Sequence, residues 1–332
     1  MDRTSLGDRR RGATAASGSP DFGYLDPPIG GPQPLPQHLN AFTGVHWEGR
    51  FERTTVQAFW LLPVIRLPLL PRDNEHAWDR QRSDIRFAGV HIDHRLPWGR
   101  VEAFAYDLDE SDVPELPTRD RDIVTFGGRY ASGRSAGAFD VEVEFAWQTG
   151  TARSSVLSSR DLDHEAGFAH VEIGYSFPVG WLDRIAFQYD YADGDDDPLD
   201  NESNRFFTLF GARRFDFGPT GIYGPFARSN LSSPGLRATF SPAEHIGGMV
   251  ALRDYRLASA TDSWTTSGLR DHTGRSGKDL GTQLELRLRW DPNETWRVEF
   301  GAAFLDQGSF PESLGSRAGD STYGYLQTRL SF

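Results

Sequence analysis

The sequence predicts an all-β protein, an antiparallel up-and-down transmembrane β-barrel. Three observations lead there. Apolar residues recur at every second position through many short segments, short and long connections alternate between those segments, and the chain ends on an aromatic at the close of an amphipathic strand. In that last segment Leu326, Thr328, Leu330 and Phe332 share one face of an extended chain, because side chains of a strand alternate with a period of two.

The same rhythm runs through the interior of the sequence. Phe139, Val141, Val143, Phe145 and Trp147 alternate with Asp140, Glu142, Glu144, Ala146 and Gln148. Ile185, Phe187, Tyr189 and Tyr191 alternate with Arg184, Ala186, Gln188 and Asp190, and Leu284, Leu286, Leu288 and Trp290 with Glu285, Arg287 and Arg289. Val298, Phe300, Ala302 and Phe304 alternate with Arg297, Glu299, Gly301 and Ala303. One apolar and one polar face per segment is the pattern of a strand with lipid on one side and water on the other. About thirteen strands are expected, at 41–50, 52–62, 83–95, 99–108, 121–132, 138–148, 165–177, 183–193, 229–240, 245–257, 280–290, 294–305 and 320–332.

Tight turns are expected at Gly49 and Arg50, from Leu96 to Gly99, from Ser132 to Ser135, from Phe177 to Trp181, from Ser241 to His245 and from Asp291 to Thr295. Wide connections fall at about 64–82, 109–120, 149–164, 194–228, 258–278 and 305–319. Strict alternation of the two kinds fits brief periplasmic turns and long external loops, for which a soluble β-sandwich offers no reason.

Composition narrows the classes further. With 38% hydrophobic residues and a mean hydropathy of -0.52, no run reaches the roughly 18 to 20 apolar residues of a membrane helix. No cysteine is present, which removes disulfides, thiolate metal sites and cysteine catalysis. Aromatics make up 13%, and Trp47, Trp60, Trp98, Trp147, Trp181, Trp290 and Trp296 lie on or beside predicted strands, as interfacial girdles require. The net charge of -12 argues against nucleic-acid binding. The basic side chains are almost wholly Arg, with Lys278 the single lysine, a bias that bidentate anion recognition and a GC-rich genome explain equally well.

Residues 1–40 are rich in Pro, Gly and Ser and form a non-barrel or outer-loop segment, with the barrel running over 41–332. The first counted strand descends from outside, and bacterial single-chain barrels usually have an even strand number, so the chain is expected to lack N-terminal strands of the complete barrel.

The longest connection carries the most distinctive sequence, YDYADGDDDPLDNESNRFFTLFGARRFDFGPTGIYGPFARSN at residues 189–230. It resembles the signature region of the alginate-export family of outer-membrane porins: a strand ending in a Tyr-rich Gly-Asp stretch, a Phe-containing LF element, a Gly-rich segment, and an Asn opening the next strand. The matching positions are Tyr191, Gly194, Asp195, Phe207, Leu209, Phe210, Gly221, Gly224 and Asn230. TFGGRYASG from Thr125, FAWQTG from Phe145 and LGTQLELRLRW from Leu280 are similar too, so the likeness extends from about Phe42 to Phe332. The family's Gly-Arg-Gln-like opening has no counterpart.

The resemblance implies an outer-membrane porin that passes an anionic polysaccharide, an alginate-like polyuronate, or alternatively a general or anion-selective porin for small solutes. Outer-membrane lipid surrounds such a protein and periplasmic export components could feed it; no cofactor is implied. Each uronate carries a carboxylate, for which Arg offers charge-assisted, bidentate bonds. With the apolar faces assigned to lipid, Arg129, Arg184, Arg237, Arg287, Arg289, Arg297 and Arg329 point inward as candidate pore residues. Glu142, Glu144, Glu172, Asp190, Glu285 and Glu299 share that side, so the arginines either line an anion path or form cross-strand ladders that stiffen the wall.

Other chemistry finds less support. Asp193, Asp195, Asp196 and Asp197 lack the spacing of a calcium loop and read as a solvated segment. Gly211, Gly218, Gly221 and Gly224 suggest a tightly folded loop that turns into the lumen, without the lysine of a phosphate-binding loop. His91 and His94 lie three apart on a strand and face opposite sides, and Asp161 with His164, or His170 with a distant Ser, makes a triad only by assumption. An enzyme is therefore not expected.

Overall fold

The computed structural model describes residues 41–65, 80–113, 117–210, 217–220, 223–315 and 319–331. Segment 1–40, Gly211, Gly221 and the terminal Phe332 lie outside the described residues. The elements in chain order are β1 Ala41–Phe51, β2 Thr54–Ile65, β3 Arg80–Gln81, β4 Ile85–Leu96, β5 Gly99–Glu110, β6 Asp122–Ser132, β7 Phe139–Arg153 and β8 Asp161–Ser176. There follow β9 Leu182–Ala192, β10 Glu202–Ser203, β11 Leu231–Ala243, β12 Ile246–Arg256, β13 Asp279–Trp290, β14 Trp296–Gln307, α1 Ser309–Ser313 and β15 Ser321–Leu330.

Setting aside the two-residue strands β3 and β10, the long strands form one antiparallel meander in which each pairs with its neighbours in sequence. Such local pairing needs only short reversals, and it satisfies the backbone strand by strand. Among the described residues β1 pairs only with β2, and β15 only with β14, so the sheet has two edges.

The sheet is nevertheless curled. Phe210 packs edge-on against Phe42 of β1 at 5.1 Å between ring centroids, while the Thr220 hydroxyl lies 2.7 Å from that of Tyr323 on β15. Ten residues of chain separate Phe210 from Thr220 and span at most about 35 Å. Laid flat, the twelve strand-to-strand steps from β1 to β15 would separate those edges by about 58 Å. Only a wall bent around its inner face lets one loop touch both.

The alternation of side chains decides which face is inner. On β7, Asp140, Glu142, Glu144, Ala146 and Gln148 are buried while Phe139, Phe145 and Trp147 are exposed. β9 repeats this with Arg184, Ala186, Gln188 and Asp190 inside and Ile185 and Phe187 outside. Val90, Ile92, Val124, Phe126, Ile173, Leu236, Val250, Leu252, Leu284, Phe300 and Leu326 extend the outer apolar band. Polar inside and apolar outside inverts a soluble protein and is the arrangement that hydrocarbon selects. Among the described residues no helix is long and apolar enough to cross a membrane.

Several boundaries differ from the sequence-based expectation, each for a physical reason. The first turn lies not at Gly49 and Arg50 but at Glu52 and Arg53, with Glu52 at φ 40°. Phe51 continues the outward register of Val45 and Trp47, and Gly49 leaves room between the Trp47 and Phe51 rings. The turn expected from Ser132 to Ser135 reaches Ala138, where Gly137 at φ 77° donates its N–H to the Ser176 carbonyl at 2.7 Å. β7 and β8 run further than expected and shorten the 149–164 connection to 154–160. The polar pairs Thr151 with Asp163 and Arg153 with Asp161 carry the ladder above the apolar band, where hydropathy no longer marks a strand. The one-turn helix α1 occupies a connection read as irregular and buries Phe310 against Leu280 and Leu305.

The long 193–230 connection is closed at its base by a clasp. The Asn230 N–H donates to the Asp193 carbonyl at 3.0 Å, as does the Phe206 N–H at 3.1 Å, and the Asp193 carboxylate accepts the Gly167 N–H at 2.6 Å. The Asn230 side chain then ties in the 257–278 connection: its Oδ1 accepts the Ser259 N–H at 2.7 Å, and its Nδ2 donates to the carbonyls of Ser259 and Ser263. Asn230 holds φ 49°, a conformation Asn tolerates better than most residues. A Cβ at Gly194 would run into Asn230 Oδ1, so the clasp demands glycine there.

Two outcomes are expected. Phe145→Arg, in the middle of the outer band, should lower unfolding stability in lipid vesicles by about 2–4 kcal/mol, whereas Phe139→Arg beside the turn should cost at most about 1 kcal/mol; equal losses would contradict the assigned membrane depth. Gly194→Ala should cost about 1–3 kcal/mol in the same unfolding measurement and speed proteolysis within 193–230.

Candidate functional site

The inner face carries a series of guanidinium–carboxylate clusters that together make a ladder with gaps. At its β4 end the Asp93 carboxylate accepts from Arg100, and Glu102 accepts from Arg129 Nη1 at 3.0 Å. Arg129 Nε donates to Glu142 at 2.8 Å. Arg184 then bridges Asp140 and Glu172, with Nε 3.0 Å from the first and Nη2 2.6 Å from the second, and Arg134 reaches Glu172 from the turn at 3.2 Å. Further round, Arg253 donates to Asp190 at 2.7 Å and to Gln188 at 2.8 Å. Arg287 holds Glu285 at 2.6 Å, and Arg289 and Arg297 share Asp291 at 3.1 and 2.7 Å.

Burial explains why these groups come in opposite pairs. Arg129, Arg184 and Arg237 are under a tenth exposed, and a lone charge so placed would lose its hydration without compensation. Of the seven arginines expected inside, these three are buried in the wall, Arg287, Arg289 and Arg297 are half-buried, and Arg329 near the end of β15 is exposed. Glu142, Glu144, Glu172, Asp190 and Glu285 are buried on the same face and Glu299 is half-buried, its carboxylate accepting from Tyr325. The wall thus alternates in sign instead of being uniformly positive.

Arg253 is absent from the expected set although its signal was present. It lies on the inward register of β12 between Met249 and Tyr255, opposite the outward Val250 and Leu252. Arg228 gave no such signal, since it lies in a connection without periodicity, yet it donates to Asp190 at 3.1 Å and lies 5.3 Å from the Phe168 ring. His170 Nδ1 also donates to Asp190 Oδ1, at 2.9 Å.

Over this ladder the described parts of the 193–230 connection fold inward. Phe206 packs on Phe168 of β8, Phe210 on Phe87 of β4, and Phe226 stacks 3.5 Å above Tyr255 of β12. These contacts account for the apolar inward residues Phe87, Phe104, Tyr106 and Leu108, which would otherwise face water. Phe207 is stitched to the wall by Gln148, whose Oε1 accepts its N–H and whose Nε2 donates to its carbonyl, both at 2.8 Å. His164 stacks on the Phe207 ring at 5.0 Å. On the far side Tyr223 donates to Gln283 at 2.7 Å and stacks on Tyr323, while Arg287 Nη2 donates to the Gly218 carbonyl.

The signature positions therefore divide by task. Gly194 and Asn230 build the clasp, Phe207 and Phe210 anchor the loop to separate stretches of wall, and Gly224 is exposed. Asp195 belongs to the link between the two long connections: its N–H donates to Asp262, which also accepts Arg205 Nε at 2.7 Å. Burial, and then the neighbouring charge of Asp262, push the Asp195 carboxyl up to about 6.

A strand wall with these faces has solved counterparts. OccK11 (OpdR) of Pseudomonas aeruginosa superposes with a TM-score of 0.52 at 14% identity, over 89% of this chain and 72% of that one. The outer membrane protein opdK of P. aeruginosa gives 0.52 at 11% identity, over 87% of this chain and 70% of its own. OccK2 (OpdF) of P. aeruginosa, solved in complex with glucuronate, gives 0.51 at 11% identity, over 88% and 72%. At such identities the likeness is one of fold. No curated protein matches the chain in sequence. The alginate export family model matches residues 37–324, nearly the whole meander and its folded-in loop. The chain therefore belongs to the alginate export family, as a β-barrel porin of the outer membrane.

Proposed function

We propose that this porin passes an anionic, alginate-like polyuronate through its lumen, with Arg129, Arg184, Arg237, Arg287, Arg289, Arg297 and Arg329 as the guanidiniums along the way. The observation that carries the reading is the ladder itself: inward guanidiniums held in place by carboxylates on the same or nearby strands. A sugar carboxylate entering a narrow passage loses water, and an oriented guanidinium can replace part of that hydration. The adjoining acids limit how tightly any one carboxylate is held, and conduction needs binding sites weak enough to leave. The passage is diffusive, needs no covalent step, and assigns no catalytic residue. Periplasmic export components would deliver the polymer.

A second reading, a porin for small anionic solutes, draws on the inward-packed loop. Phe206, Phe207, Phe210 and Phe226 occupy space that a polymer would need, and OccK2 was solved in complex with glucuronate.

Selectivity and block separate the possibilities. Arg287→Glu with Arg289→Glu is expected to lower anion preference in single-channel recordings, with Arg→Gln at both positions giving a smaller shift; unchanged selectivity would remove both residues from the path. Oligomers of mannuronate added to the protein in planar bilayers are expected to interrupt the current. Steady current with oligomers, alongside block by monomeric glucuronate, would favour the small-solute porin.

A further inference from the structure

On β15 the inward register carries Tyr323, Tyr325, Gln327 and Arg329, opposite the outward Leu326 and Leu330. The folded-in loop treats the two tyrosines differently. Tyr323 is covered: Tyr223 stacks on it at 5.2 Å between ring centroids, and the Thr220 hydroxyl meets its own at 2.7 Å. Tyr325 lies two residues, about 7 Å, further toward the periplasmic end of the strand. Among the described residues its one aromatic neighbour is Tyr323, at 6.3 Å between centroids. The residue is half-buried, on the periplasmic side of the loop.

The neighbouring strands fix where that ring lies. Arg287 on β13, Gly301 on β14 and Tyr325 on β15 are cross-strand partners on one inward row. Gly301 is buried, and a Cβ there would run into the Tyr325 ring, so the ring reaches across β14 over the missing side chain. Its hydroxyl donates to Glu299, also on β14, which pins the far end. Arg287 stands on the other side of Gly301, with two strand spacings, about 10 Å, between its backbone and that of Tyr325. Its Nε donates to Glu285 at 2.6 Å and its Nη2 to the Gly218 carbonyl at 3.1 Å, while Nη1 has no hydrogen-bond partner among the described residues. The chemistry of this row suits a sugar acid. An aromatic face carries partial negative charge and the axial C–H groups of a pyranose partial positive charge, so a sugar ring lies on a tyrosine face, while its carboxylate takes the N–H of a guanidinium. Glu285 and Glu299 flank the row and weaken its hold on any carboxylate. A contact with the uncharged face of the sugar escapes that penalty.

We propose that Tyr325, laid over Gly301 and held by Glu299, is a stacking platform for the pyranose rings of a uronate chain in transit, with Arg287 on the same row for the carboxylate. The inference rests on the polyuronate reading and adds to it a contact with the uncharged part of the sugar. Every sugar of the polymer presents such a face, so the ring can release one and take the next, and each contact is weak enough to leave.

Block of single-channel current by mannuronate oligomers, measured in planar bilayers, tests the platform. The parent protein is expected to be blocked, and Tyr325→Leu to need about three- to tenfold more oligomer for the same block, the worth of one aromatic stacking contact. Tyr325→Phe keeps the ring and should stay within about twofold of the parent. Oligoglutamate, a polyanion without a pyranose ring, should block the parent and both variants alike. Tyr175→Leu, at an outward tyrosine of β8, should behave as the parent does with either blocker. If Tyr325→Leu gives no channels, Gly301→Ala, whose added methyl displaces the ring, takes its place with the same expectation. Mannuronate block as strong in Tyr325→Leu as in the parent, a loss in Tyr325→Phe as large as in Tyr325→Leu, or an equal loss of oligoglutamate block would each overturn the proposal. Parent block that ignores Tyr325 removes the platform and leaves the transport reading, whereas a parent current that mannuronate oligomers never interrupt removes both.

Discussion

The wall is one residue thick, and that constraint shapes everything else in the molecule. Each strand must offer hydrocarbon one face and the lumen the other, and the period of two leaves no side chain between them. Once Phe145 and Trp147 face lipid, Glu142, Glu144 and Gln148 have nowhere to go but inward. A row of inward carboxylates would repel itself, so arginines on the neighbouring strands answer it: Arg129 stands between Glu102 and Glu142, and Arg184 between Asp140 and Glu172. The ladder is thus first a consequence of packing charged side chains on the inside of a thin wall.

How much of this was legible follows from the same constraint. Strands within the apolar band were readable because lipid punishes a break in alternation, and the long strands were placed close to their true positions. Legibility failed where lipid no longer selects. The outer ends of β7 and β8 continue through Thr151, Arg153, Asp161 and Asp163, whose polarity looks like a loop. The Gly49 turn misled because a glycine between two outward rings resembles a turn glycine in composition alone. At the candidate site, the inward arginines came from register, but Arg119, Arg121, Arg205 and Arg228 act from connections, where no period announces which way a side chain points.

The two sheet edges pose the sharpest demand on the chain. An edge strand in hydrocarbon exposes N–H and C=O groups that water cannot reach, at several kcal/mol for each unsatisfied group. Neither β1 nor β15 has its outer edge paired among the described residues. The aromatic contacts of Phe210 with Phe42 and of Tyr223 with Tyr323 bend both edges toward a common loop, so curvature is present before closure. The folded-in connection is therefore part of the architecture as well as an obstruction. Its clasp at Asp193, Gly194 and Asn230 fixes the base, and its rings reach toward both edges.

That double role bears on how a charged solute could cross. If the strand arginines served only to neutralise their neighbours, the lumen would present paired charges and a floor of phenylalanines, with little to attract an anion from outside. Under the transport reading, paired charge along the wall permits exchange from one guanidinium to the next without a deep trap. A wall of uniformly positive sign would hold a polyanion at many points at once, and the sum of those contacts would oppose its release.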